Sequence, residues 1–148
     1  MPFSLSLLAA VAIQLGCQAF KVVYYSLKER HFSFHWFFSA GGMPSAHTAF
    51  VAALAMSVGL ARGFGSEVFA VAFVFATIVI YDILRVRAAV QTHSRILRVL
   101  LDERKAVRGS AEQPPPLPSP VGHSFAEVVV GLVVGAAGAA GLYLLLAG

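Results

Sequence analysis

Charge is scarce in this sequence. Of its 148 residues only 12% are Asp, Glu, Lys or Arg, 58% are hydrophobic, and the mean hydropathy is +0.78. A soluble domain carries about one quarter charged residues. A chain this short also has too much surface for its volume to hide such an apolar excess in a globular core. The shortage excludes an ordinary water-soluble globule and makes the bilayer the fitting solvent. Cysteine is scarcer still. Cys17 stands alone in an apolar segment, so no intrachain disulfide can form and the redox compartment is left open. The first apolar segment lacks a basic lead-in and a clear small-residue cleavage site, and so reads as a retained membrane helix rather than a removed signal peptide. A basic stripe is missing too. The net charge of +4 comes from residues lying mostly between apolar segments, where they set topology and meet anionic headgroups, so no nucleic-acid partner is expected.

Four apolar segments fill the chain, at about 3–25, 46–61, 68–84 and 125–147. A helix needs about 20 residues to cross the hydrocarbon core. The outer two reach that length, while the middle two are shorter and joined by the tight turn "ARGFGSE" into a helical hairpin. Backbone groups must be satisfied within the bilayer, which favours helices over isolated strands. The expected fold is an all-α polytopic membrane bundle of about four transmembrane helices plus an amphipathic interfacial helix, one membrane domain over 1–148. Arg85, Arg87, Arg95, Arg98, Arg104, Lys105 and Arg108 all fall between the third and fourth segments. The positive-inside rule places that loop in the cytoplasm, and with it Lys21, Lys28, Arg30 and the stretch before the second segment. Both termini then face outside. The location expected is a bacterial plasma membrane or, in a eukaryote, an organelle membrane.

From 86 to 102 polar residues recur at helical spacing opposite Val86, Val90, Ile96, Leu97, Val99, Leu100 and Leu101. This suits a helix continuing from the third span, lying in the interface or packed on other protein. A mobile Pro-rich loop is expected near 103–121, with "RGSAEQPPPLPSP" at its heart. The aromatic cluster "HFSFHWFF" fits the headgroup level. Within it His31 and His35 are four apart and face one another if the segment is helical, but two histidines without a third ligand do not make a metal site, and none is expected. Gly131 and Gly135 form a G-x-x-x-G seam for close helix packing, either inside the chain or between copies in a homo-oligomer.

The chemistry gathers around "GGMPSAHTAF". Ser45 is a good N-cap directly before the second apolar segment, which leaves His47 in the first helical turn. First-turn amides lack intrahelical partners and carry the positive end of the helix dipole. Gly41 and Gly42 permit close approach to the backbone, and such a place binds anions, phosphate especially. By the topology above, Lys21 and Arg30, then Asp82 and Arg87, then His123 and Glu127, all fall at the same membrane face. Each has a plain structural use, such as snorkelling, capping or setting topology. Ionisable residues drawn together there from four segments are nevertheless functional candidates.

"GGMPSAHTAF", "IVIYDILRVR" and "GHSFAEVVVGLVVG" together resemble the three characteristic blocks of the divergent type 2 phosphatidic acid phosphatase family, related to acid phosphatases and vanadium-dependent haloperoxidases. The likeness spans nearly the whole chain. It implies a membrane phosphatase acting on a lipid or isoprenoid phosphate without metal or cofactor, in contact with membrane lipids. Carried over by residue, Lys21 and Arg30 hold phosphate oxygens, and Ser45 with neighbouring amides forms the cradle. His47 protonates the leaving alkoxide, His123 is the nucleophile, and Glu127 orients it. The classical pattern has an arginine where this chain has Leu117, and Arg87 is the cation that would take its place. It has glycine where this chain has Ala46. The other reading is an inactive membrane scaffold or lipid-binding protein that keeps the anion pocket.

Overall fold

In a computed structural model, residues 4–39, 41–108 and 124–147 are described. They form five helices: α1 (Leu5–Glu29), α2 (His35–Phe38), α3 (Ala46–Arg62), α4 (Glu67–Arg108) and α5 (Phe125–Ala147). Among the described residues three stretches are long and apolar enough to cross a membrane, Leu5–Glu29, Glu67–Val86 and Phe125–Leu146, and the shorter apolar Ala46–Arg62 joins them. The all-helical membrane bundle expected from the sequence is thus the fold observed.

α3 is the hub. It packs against α1, α4 and α5, and its buried residues lie all round it. Ala10 and Ala139 meet Ala53 at one end, and Cys17 meets Ala46 and Ala49 at the other. α1 therefore runs antiparallel to α3. A third cluster joins Val51 and Ala55 to Ala76, flanked by Val79 and Ile80, so α4 is antiparallel as well. α5 runs parallel to α3, because a Cβ on Gly131 would lie 2.6 Å from the Ser45 carbonyl and one on Gly135 would collide with the backbone of Ala49. The glycine seam is filled by α3 of the same chain. Of its two expected uses, internal close approach is the one displayed.

Outward faces are apolar. Leu8, Val11 and Leu15 of α1, Phe73 and Ile78 of α4, and Val133 and Leu144 of α5 are exposed, while Lys21, Ser45, Thr48 and Ser57 are buried. Apolar outside and polar inside suits a hydrocarbon surround.

α4 is one helix of 42 residues. No Gly or Pro interrupts 67–108, and at 1.5 Å per residue it measures about 63 Å, twice the hydrocarbon thickness of about 30 Å. The amphipathic stretch is its continuation. Val90, Ile96, Leu97, Val99 and Leu100 are exposed, so this stretch is not packed on other parts of the described chain. Six residues of the loop expected near 103–121 belong to α4 instead. Residues 103–108 are helical, since Glu, Arg, Lys, Ala and Val precede the first breaker at Gly109. The remainder, 109–121, lies outside the described residues. His31 and His35 do not share a helix, because α1 ends at Glu29 with Arg30 in the left-handed conformation (φ 57°) and α2 starts only at His35. Among the described residues no group of three or more His, Cys, Asp or Glu could hold a metal.

Candidate functional site

Parallel packing brings the N-termini of α3 and α5 to one end of the bundle. Ser45 caps α3: its Oγ accepts from the Thr48 amide at 3.4 Å and from Thr48 Oγ1 at 3.0 Å. Ser124 caps α5 in the same way, accepting from the Glu127 amide at 3.3 Å. The two entrances are joined directly, since the Ser45 amide donates to the Glu127 carbonyl at 3.1 Å. A short N–H···O bond across a glycine-lined contact fixes the relative height of two positive helix ends.

Lys21 stands in front of them. It is one turn beyond Cys17 on α1, and Cys17 packs on Ala46, so the antiparallel lysine reaches past the first turn of α3. Its side chain is 1% exposed. Nζ donates to the carbonyls of Ser39 and Gly41, each at 3.3 Å, clasping the segment that leads into α3. An ammonium buried beside two positive helix ends is opposed by desolvation and dipoles alike, and desolvation alone costs several kcal/mol. Such a place favours an anion.

The loop is shaped around Tyr25, one turn further along α1. Gly42 has φ +88°, and a Cβ there would lie 3.0 Å from Tyr25 Oη, so its lack of a side chain serves the backbone turn and the tyrosine contact. Tyr25 Oη accepts from the Met43 amide at 3.4 Å, and its ring stacks on Trp36 at 4.0 Å between centroids. Trp36 Nε1 in turn donates to Glu29 at 3.1 Å. Tyr25, Ser39 and Thr48 are site residues that no sequence motif singles out. The available signal was spacing, since Cys17, Lys21 and Tyr25 recur every four residues on one face of α1.

The remaining candidates divide. His47 is half-buried in the first turn of α3, one turn before Val51, and so lies on the side turned to α4. The pairing of Val51 with Val79 and Ile80 puts half-buried Asp82 near the same level. Glu127 is half-buried in the first turn of α5. Lys21, Ser45, His47, Asp82 and Glu127 thus come to one end of the bundle. Arg30 does not join them closely. It is exposed at the end of α1, nine residues past Lys21, about 14 Å along the axis. Arg87 lies on α4 near that end by its backbone position. His123 lies outside the described residues, and with it the expected His123–Glu127 pair. The expected backbone cradle also differs at two positions, since the amides of Ser45 and Thr48 are spent on Glu127 and on the cap.

This chain matches the Divergent PAP2 family over residues 4–138. It belongs to that family. One relative, the Uncharacterized membrane protein YuiD of Bacillus subtilis (strain 168), is 31% identical over 109 residues, 73% of this chain and 69% of the relative. No solved structure matches. The matched segment of this divergent PAP2 protein runs from the start of α1 well into α5, and so includes the lysine, both helix caps and the glycine seam.

Proposed function

We propose that this phosphatase-like membrane protein takes up the phosphate of a lipid or isoprenoid phosphate ester at the cytoplasmic face and hydrolyses it through a phosphohistidine. One observation carries the reading: the Lys21 ammonium is buried against the segment that leads into α3, whose dipole-positive entrance is hydrogen-bonded to that of α5. Phosphate oxygens replace the Ser39 and Gly41 carbonyls as acceptors for Nζ, because a charge-assisted bond outweighs a 3.3 Å bond to a neutral carbonyl. Neutral His123 attacks phosphorus, and the P–O bond to the alkoxide breaks as His47 protonates the leaving oxygen. Water then cleaves the P–N bond, with His47 now accepting its proton, and releases inorganic phosphate. Glu127 orients His123, and Arg87 answers the charge on the remaining oxygens.

The test is phosphate release by purified protein in detergent from a panel of lipid and isoprenoid phosphates. Release is expected, and His123→Ala abolishes it. No release from any substrate sinks the catalytic reading.

A second reading has its own observation. Lys21 and the Ser45 hydroxyl are already engaged inside the protein. A scaffold or lipid-binding protein that keeps an anion pocket without turnover would use them so. Phosphate binding without release, unaffected by His123→Ala, would favour it.

A further inference from the structure

A groove of about 490 Å³ lies between α1 and α5 and reaches Met43 and Pro44, just before the Ser45 cap. Gly16, Cys17 and Phe20 line it from α1, Val130 and Val134 from α5, and Pro44 closes its inner end. No lining residue is charged, and Phe20, Val130 and Val134 are partly exposed along the rim. From Val130 to Gly138 it follows α5 for eight residues, about 12 Å. Its inner end lies close to the site: Cys17 is one turn from Lys21 on α1, and Pro44 directly precedes the Ser45 cap. A molecule filling it must be apolar along its length and negative at one end.

We infer that this groove holds the single hydrocarbon chain of a lipid phosphate whose headgroup sits at Lys21. The inference rests on the phosphate-binding reading above and adds the shape of the substrate. At about 490 Å³, and running about 12 Å along α5, the groove is sized for one chain of farnesyl length rather than two side by side. Gly16 creates part of the space, since a Cβ there would meet nothing within 4 Å. The chain enters laterally, from the bilayer, and the phosphate reaches Lys21 without crossing the protein.

Binding of farnesyl phosphonate, farnesol and dioleoyl phosphatidic acid to the full chain in detergent tests this. Wild-type protein is expected to bind the phosphonate at least tenfold more tightly than either of the others. Gly16→Leu fills the groove and should weaken both farnesyl ligands at least tenfold, whereas Lys21→Met weakens the phosphonate alone. If Gly16→Leu leaves both affinities unchanged while Lys21→Met still acts, the groove is overturned and the phosphate reading survives. If Lys21→Met has no effect while Gly16→Leu weakens both, the groove survives and the phosphate reading falls. Phosphatidic acid binding as tightly as the phosphonate overturns the single-chain assignment. Should Gly16→Leu fail to fold, a photoreactive group on the farnesyl tail supplies the measurement in wild-type protein. Cross-links at Phe20, Val130 or Val134 support the groove, and cross-links confined to the outer faces of α4 and α5 overturn it.

Discussion

α3 meets its two neighbours in opposite ways. Toward α5 it runs parallel and touches backbone, with Gly131 against Ser45 and Gly135 against Ala49. Toward α4 it runs antiparallel and touches side chains, Val51 and Ala55 against Ala76, Val79 and Ile80. A sequence-adjacent hairpin needs only complementary apolar faces, and branched side chains provide them. A parallel pair far apart in sequence, whose ends must line up to one hydrogen bond, needs a contact with no slack. Glycine gives that contact because it removes the side-chain layer. The α5 side fixes the height of the two helix entrances, and the α4 side holds the bundle together while carrying Asp82 and Arg87 to the same end.

The largest expected effect comes from putting one methyl group into the α5 contact. Gly135→Ala drives a Cβ into the Ala49 backbone, which cannot rotate away as a side chain would. Overpacking of this kind costs about 3 kcal/mol. Thermal unfolding in detergent should show the loss, with Gly131→Ala close behind. A variant as stable as wild type would mean that α5 can slide and that the two sides of α3 are alike.

Lys21→Met comes next and acts on function. Removing the buried cation should lower phosphate release about 100-fold, the scale of losing one transition-state donor. The clasp on Ser39 and Gly41 is lost too. Lys21→Arg, which keeps charge but not shape, separates the two uses. Recovery of release with arginine would assign the effect to charge, and no recovery to the clasp.

Which parts were legible in the sequence follows from what each depends on. The helix ends were, because Ser45, the "ARGFGSE" turn and the run of apolar residues are local signals. The shared end of the bundle was too, because alternation of spans needs only their number. The partner of the Gly131–Gly135 seam was not, since a G-x-x-x-G pattern specifies close approach and not which helix approaches. His31 and His35 misled because four-residue spacing matters only inside a helix, and Arg30 ends α1 just before them. The role of Ser39 was invisible for a related reason, and that of Tyr25 went beyond the spacing that puts it on the Lys21 face. One serves through a carbonyl, which every residue has, and the other through a loop that folds back on α1.

On the α4 side, Val51→Ala should cost about 1 to 2 kcal/mol in thermal unfolding, as a buried side chain is shortened. Phosphate affinity should stay at the wild-type value. A parallel loss of affinity would show that the α4 contact also sets the height of the site. Ser45→Ala should cost about 1 kcal/mol through the lost cap. The Ser45 amide still donates to the Glu127 carbonyl in that variant, so α3 and α5 stay aligned. A much larger loss would show that the hydroxyl, not the backbone bond, joins the two helix ends.

The smallest effect sharpens the comparison most, because it repeats the first substitution elsewhere. Gly16→Ala puts the same methyl group on a transmembrane helix, but at a position where it meets nothing within 4 Å. Alanine restrains the backbone more than glycine does, and an exposed helix interior gains up to about 1 kcal/mol from the change. Thermal stability in detergent should therefore hold or rise, by up to about 1 kcal/mol. If Gly16→Ala and Gly135→Ala were equally damaging, glycine would matter to these helices for some general reason such as flexibility. If only Gly135→Ala is damaging, the cost belongs to the α3–α5 backbone contact itself.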